Sequence, residues 1–100
     1  MKNELPKSVS VNGIDYEIFT VDEIDSDPLT NGTIYYDKQL IYVKASLAPQ
    51  RMKQVLLHEI VHAIFYESGI EDTEEEVDIL SRVLFSATKN SNGSFPLLLL

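Results

Sequence analysis

The first 44 residues of the chain follow the two-residue hydrophobic period that is typical of β-strands. Val9 and Val11 alternate with polar neighbours, and the hairpin signal Asn12-Gly13 follows them. Residues 14–19 alternate again, so this segment should pair back on the first one.

A second hairpin is predicted further along. Residues 22–32 are mostly polar, include Pro28 and predict a loop. Residues 33–36 and 39–43 are rich in β-branched and aromatic side chains, with a turn at Asp37-Lys38 between them. The first half, over about residues 8–44, is therefore predicted to be a small antiparallel sheet.

The second half changes to the helical period. Over about residues 47–67 apolar side chains recur at helical spacing almost all round the helix, which predicts a buried helix with Ser46 as its cap and Pro49 in its first turn. Gly69 is a natural end for it. A second helix is predicted over about residues 73–89, with its apolar positions at Val77, Leu80, Val83, Leu84 and Ala87. A sheet followed by two helices gives an α+β fold, with a short apolar tail at residues 95–100.

The length and composition of the chain exclude several classes of protein and of binding partner. One hundred residues predict a single domain over residues 1–100. The chain has no cysteine, which excludes disulfides, cysteine-bound metals and thiol nucleophiles. No signal-like or membrane-spanning apolar stretch is visible, so the expected compartment is the cytoplasm and no membrane partner is expected. The net charge of −8 argues against direct binding of nucleic acid.

The residues that carry chemistry lie in the middle of the first helix. His58-Glu59-Ile60-Val61-His62 is an HExxH motif and contains both histidines of the chain. Residues four apart share a helix face, so both imidazoles can reach one tetrahedral zinc ion. Glu59 lies one position round, where it can deprotonate a water molecule activated by the metal. This arrangement favours hydrolysis of an amide bond with Glu59 as the catalytic base and later acid.

A third metal ligand must be a carboxylate, because the chain has no cysteine and no third histidine. Glu76 is the first choice because it shares a face with Leu80 and Val83, which are predicted to point inward. Glu75 is the second choice, on a more exposed side. Both residues also fit a capping box at the start of the helix, which is a purely structural role. Other acids near the start of the second helix, including Glu74 and Asp78, stay open as alternatives.

Two segments of the chain resemble the small zincin-like metallopeptidases of the ImmA/IrrE group, which are common in phages and integrated elements. These segments are LLHEIVHAIFYESG and EEEVDILSRVLF. The likeness extends over roughly residues 30–88 and includes GTIYYDKQLIYV upstream of the helix. It implies a short sheet, an active helix and, from the E-x-N/D-x-x-A/S pattern at residues 76–81, Glu76 as third ligand. It also implies one zinc ion per chain and, as protein substrate, a repressor or other transcription regulator of a phage or mobile element.

The chain departs from the pattern of that group in two respects. It has neither the longer insertion before the third ligand nor an added sensor domain, so it resembles a minimal catalytic domain.

Several side chains could stabilise the oxyanion that develops during hydrolysis: Tyr35, Tyr36, Tyr42, Tyr66, Arg82 and Lys44. The strand at residues 39–43 is a candidate sheet edge for an extended substrate. The alternative function is a zinc-stabilised binding module that acts stoichiometrically on a regulator, or a phage structural protein, without catalysis.

Overall fold

The computed structural model of the chain describes residues 5–90, with side chains up to Thr88. The elements are, in chain order, β1 (Ser8–Val11), β2 (Ile14–Val21), β3 (Gly32–Tyr35), β4 (Leu40–Lys44), α1 (Pro49–Glu67) and α2 (Glu74–Asn90). A sheet followed by two helices confirms the predicted α+β class. The apolar tail predicted at residues 95–100 lies outside the described residues.

Both predicted hairpins form. β1 pairs antiparallel with β2 across the Asn12-Gly13 turn, where both residues have a positive φ, of 53° and 86°. That backbone shape suits a two-residue hairpin and is the reason that Asn-Gly predicts one. β3 pairs antiparallel with β4, with Ile34 opposite Ile41.

The sheet as a whole is mixed, which corrects the prediction of an antiparallel sheet. Its strand order is β1-β2-β4-β3, and β2 runs parallel to β4, with Ile18 opposite Ile41. The long connection over residues 22–31 carries the chain past the position of β4 before β3 begins, so β4 enters between β2 and β3. β4 is therefore an interior strand, and the prediction that residues 39–43 form a sheet edge was wrong. Among the described strands, β3 and β1 are the edges.

The core lies between the sheet and α1. Leu56, Ile60 and Ala63 of the helix are fully buried in one cluster with inward-facing side chains of β1, β2 and β4. The cap of α1 differs from the prediction: Ala48 is the N-cap residue, without a side-chain hydrogen bond, and Pro49 is the first helical residue. Ser46 lies two residues before the cap position, so the prediction that it caps the helix was wrong, whereas Pro49 lies in the first turn as predicted. Ser68 and Gly69 end the helix, with Gly69 at a φ of 72°.

α2 packs against α1 with a face that differs in part from the predicted one: Val77 is buried as predicted, whereas two other predicted positions are not. Val77 and Ser81 are buried, whereas Leu80 and Val83 are 43% and 60% exposed. The prediction that Leu80 and Val83 point inward was therefore wrong. Thr73 precedes the helix, and its Oγ1 accepts a hydrogen bond from the backbone N–H of Glu76, so the helix begins one residue after the predicted position. Within residues 5–90, neither helix combines the length and apolarity needed to cross a bilayer.

Candidate metal centre

Two histidines of α1 and one glutamate of α2 converge on a single point. His58 and His62 lie one helical turn apart, with ring centroids 5.0 Å from each other. Glu74, the first residue of α2, places its carboxylate 3.3 Å from His58 Nε2 and 3.1 Å from His62 Nε2. One ligand atom from each residue lies within 4.8 Å of the other two. These three residues are the set in the described part of the chain that can hold a metal ion.

The other nitrogen of each imidazole contacts an aspartate. His58 Nδ1 lies 3.2 Å from Asp78 Oδ1, and His62 Nδ1 lies 2.6 Å from Asp72 Oδ2. A carboxylate at Nδ1 favours the tautomer that carries its proton there. Each imidazole then presents the lone pair of Nε2 towards Glu74. Carboxylate partners of this kind orient metal-binding histidines in proteins.

The chemistry of this donor set fits a divalent metal. Two Nε2 lone pairs and a carboxylate oxygen face one another, and none of these atoms carries a proton in that tautomer. Donors of this type repel each other unless a cation lies between them. Two imidazoles and one carboxylate are also a ligand set found in catalytic zinc sites, with the fourth position left to water or substrate. The geometry therefore matches a site for one metal ion.

Glu59 is buried beside these residues. Its exposed fraction is 8%, and burial raises the pKa of its carboxyl from 4.5 to about 7, an effect that the nearby Glu74 carboxylate reinforces and His62 opposes. A carboxyl with a pKa near neutrality can both accept and return a proton at physiological pH. Perturbed acids in clefts are typical of catalytic sites.

The predicted third ligand, Glu76, is not part of the convergent group. Its backbone N–H is bound to Thr73, and its side chain is exposed, as is that of the second choice, Glu75. The buried Val77 and Ser81 set the inward face of α2, and Glu74 and Asp78 lie three residues before each of them. At 3.6 residues per turn, Glu76 lies about 200° round the helix from Glu74. The prediction that Leu80 points inward was wrong, and it had placed Glu76 on the inward face of α2 as well.

Two cavities open beside these residues and meet at Gly32, His58 and Glu59. The histidine cavity, of about 410 Å³, is also lined by His62, Glu74 and part of β3. The arginine cavity, of about 340 Å³, extends from His58 towards Arg51 and Arg82.

Gly32 brings the edge strand β3 close to α1. A β-carbon at this position would lie 3.2 Å from Glu59 Oε2 and would overlap Val55 Cγ1. Only glycine therefore allows this approach without a shift of the strand or helix. The sequence pattern had placed Gly32 at the end of the loop predicted over residues 22–32, and nothing in that pattern indicated this contact.

Among the tyrosines proposed as oxyanion donors, Tyr36 is the one that lines the histidine cavity. Burial, together with the neighbouring carboxylates of Asp72, Glu59 and Glu74, raises the pKa of its hydroxyl to about 12, so it keeps its proton at neutral pH. The Tyr36 ring stacks on Tyr66 with centroids 4.1 Å apart, which fixes its orientation.

The remaining candidates have other contacts. Tyr35 donates a hydrogen bond to Asp25, and its ring packs against Tyr42. Lys44 donates a hydrogen bond to the carbonyl of Pro28, and Arg82 lines the arginine cavity.

The chain is an α+β domain in which α1 presents two histidines and a buried glutamate, and α2 adds a carboxylate. Together these residues form a candidate metal site of the kind found in hydrolases. The family model described as the IrrE N-terminal-like domain, a peptidase family, matches residues 11–88, and the chain belongs to this family. This confirms the resemblance to the ImmA/IrrE group and extends it from about residue 30 back to residue 11, at the end of β1. No curated protein and no solved structure gave a significant match. Family and site together support a metal-dependent peptidase, a hydrolase.

Proposed function

We propose that the chain is a zinc-dependent endopeptidase that hydrolyses a peptide bond in a regulatory protein. The observation that carries this proposal is the convergence of His58, His62 and Glu74 next to the buried carboxyl of Glu59. A purely structural metal site would need the three ligands but would not need Glu59. Burying that carboxyl is costly, as its raised pKa indicates, which favours a catalytic role.

The metal ligands in this proposal are Nε2 of His58, Nε2 of His62 and the carboxylate of Glu74. Asp78 and Asp72 hold the two imidazoles in the required orientation through Nδ1. Zinc bound there supplies Lewis acidity, which polarises the scissile carbonyl and makes water a better nucleophile at neutral pH.

In this proposal Glu59 carries a proton from the attacking water to the leaving amine. Its carboxylate accepts a proton from the attacking water while the water oxygen forms a bond to the carbonyl carbon. The same proton passes to the leaving amine as the carbon–nitrogen bond breaks, so Glu59 returns to its starting state. In the metal-free protein burial raises the pKa of this carboxyl to about 7, and a bound cation would lower it and so favour the carboxylate form that accepts the proton.

Tyr36 is proposed as the hydrogen-bond donor to the carbonyl oxygen as that oxygen gains negative charge. Its hydroxyl stays protonated at neutral pH, and the residue lines the histidine cavity. We expect Tyr36→Phe to lower kcat by roughly 100-fold with little change in KM, since removal of one such donor has this order of effect. Tyr35→Phe is the matched control, because Tyr35 contacts Asp25 instead.

An extended substrate would bind along β3. This strand is a sheet edge and begins at Gly32, beside Glu59. An edge strand offers unpaired N–H and C=O groups to which a peptide adds as a further strand. This position replaces the earlier expectation for residues 39–43, which form an interior strand.

The choice of a repressor or other transcription regulator as substrate comes from the resemblance to the ImmA/IrrE group. Its test compares cells that produce the wild-type chain with cells that produce Glu59→Gln. New protein N-termini found by mass spectrometry only with the wild type would identify the substrate. A cleaved protein that has no regulatory role would contradict this part of the proposal.

The central experiment separates catalysis from metal binding. We expect Glu59→Gln to bind one zinc per chain by elemental mass spectrometry and to lose peptide cleavage by at least 100-fold. Glu75→Gln, an exposed change nearby, should retain both properties. If Glu59→Gln keeps its biological effect, the chain is instead a zinc-stabilised binding module.

The third ligand is tested by a second pair of variants. Glu74→Gln should weaken zinc affinity by well over tenfold, because it removes a charged ligand. Glu76→Gln should change the affinity by less than about twofold. Titration against a chromophoric zinc chelator measures both, and the opposite order would return Glu76 to the ligand set.

A further inference from the structure

The chain contains only two arginines, and both line the same cavity. Arg51 belongs to the first turn of α1 and Arg82 to the middle of α2, yet both residues line the arginine cavity, as does His58. The other six basic residues of the chain are lysines, and the net charge is −8. Two guanidinium groups in one cavity are therefore a local exception to an acidic molecule.

Both arginines lie at a distance from His58 that suits a substrate side chain. Arg51 precedes His58 by seven residues on α1, which is two helical turns on the same face or about 10 Å along the axis. Arg82 lies one turn after Asp78, whose carboxylate contacts His58. The cavity thus extends from the proposed reaction centre to the two guanidinium groups.

The contacts of each arginine use only part of its hydrogen-bonding capacity. Arg51 Nη1 donates a hydrogen bond of 2.8 Å to Gln54 Oε1, and Arg82 Nη2 lies 3.7 Å from Asp78 Oδ2. Each contact uses one nitrogen of a group that has five N–H donors. Asp78 also contacts His58 through its other oxygen, so both of its carboxylate oxygens already have partners.

Two carboxylates also line the cavity: Asp78, which contacts both His58 and Arg82, and the buried Glu59. Arg51 contacts the neutral amide of Gln54, and Asn31 adds a second amide to the lining. A guanidinium pair with amide neighbours is suited to binding a carboxylate through paired hydrogen bonds.

We propose that the arginine cavity binds a carboxylate of the substrate peptide next to the scissile bond. This inference rests on the proposed peptidase function and adds the substrate class: a peptide with an acidic side chain, or a free C-terminal carboxylate, adjacent to the bond that is cut. Arg51 and Arg82 are then specificity-determining residues.

Binding is tested without cleavage, by NMR titration of the ¹⁵N-labelled Glu59→Gln protein with and without zinc. The probes are Ac-Gly-Glu-Gly-NH₂, Ac-Gly-Gln-Gly-NH₂ and Ac-Gly-Gln-Gly-OH, which separate a side-chain carboxylate from a terminal one. We expect one carboxylate peptide to shift the amides around the arginine cavity with at least tenfold higher affinity than the neutral peptide. Equal affinity for all three peptides would overturn the proposal.

The variants assign the effect to the arginines. Arg51→Gln and Arg82→Gln together should remove the tenfold difference, and the exposure of both residues makes the fold tolerant of the change. Lys53→Gln on the same helix, outside the cavity lining, is the matched control and should keep it. Retention of the difference in the double arginine variant would place the carboxylate elsewhere and overturn the assignment.

Cleavage of a proteome-derived peptide library by the zinc-loaded wild type distinguishes this proposal from the peptidase proposal. Enrichment of Asp or Glu, or of chain ends, beside the cut supports the cavity assignment. Cleavage without such enrichment overturns the cavity assignment and leaves the peptidase function standing. Selective carboxylate binding with no cleavage of any peptide overturns the peptidase function and leaves the carboxylate site standing.

Discussion

At the scale of single residues, Glu59 is a carboxyl that the fold places in an unfavourable environment for its charge. Its carboxyl is buried and its pKa is raised from 4.5 to about 7. The folded metal-free protein therefore binds more protons than the unfolded chain between about pH 4.5 and pH 7. Stability falls as the pH rises through this window and changes no further on account of Glu59 above it.

This charge gives a prediction for the metal-free protein. Glu59→Gln removes the buried charge, so we expect it to raise the free energy of unfolding by roughly 3 kcal/mol at pH 8. Near pH 4.5 the gain should be close to zero. Urea unfolding in the presence of a chelator measures both values, with the exposed Glu75→Gln as the control. A gain that is the same at both pH values would contradict the raised pKa.

At the scale of elements, the orientation of α2 decides which acids face the histidines. Val77 is fully buried, whereas Leu80 is 43% exposed. We expect Val77→Ala to cost about 1–3 kcal/mol and Leu80→Ala less than about 1 kcal/mol, although the leucine loses more atoms. Denaturant unfolding of the two variants compares these costs. A larger loss of stability for Leu80→Ala would indicate that α2 is rotated so that Glu76, and not Glu74, faces α1.

The approach of β3 to α1 gives a second prediction at this scale. A methyl group at Gly32 would overlap Val55 and press on Glu59, so strand and helix must move apart. We expect Gly32→Ala to destabilise the fold by about 1–3 kcal/mol and to lower kcat/KM. Gly13→Ala is a comparison in open space, where only the positive φ opposes the change. Unchanged activity in Gly32→Ala would show that this contact does not matter for catalysis.

At the scale of the whole molecule, the proposed metal site connects α2 to the rest of the fold. Its ligands come from both helices, so bound zinc stabilises the folded state over the unfolded one. With free zinc at 100 times Kd the gain is about 2.7 kcal/mol. For a domain of this size this corresponds to a rise in Tm of about 10–20 °C. Thermal melts with zinc and with chelator measure it, and His58→Ala should lose the shift; a shift that survives would indicate zinc bound at other acidic residues.

The local features of the sequence predicted their structures well. Asn12-Gly13 predicted the first hairpin because its left-handed backbone belongs to a two-residue turn. His58, Glu59 and His62 came together because residues one to four apart on a helix have fixed relative positions. These geometries depend on neighbours in the chain, so the sequence by itself determined them, together with the α+β class.

The predictions that were wrong, and the choices that the sequence left open, concern contacts between segments that are distant in the chain. The parallel pairing of β2 with β4, which makes β3 the edge, follows from the path of residues 22–31. The position of Glu74, rather than Glu76, beside the two histidines follows from the rotation of α2 about its axis, where one residue of error turns a side chain by about 100°. Several apolar positions of α2 could have faced inward, and only packing against α1 selected Val77 and Ser81. Tertiary structure alone decided these points, because the free energy that fixes them comes from surfaces that meet only in the folded molecule.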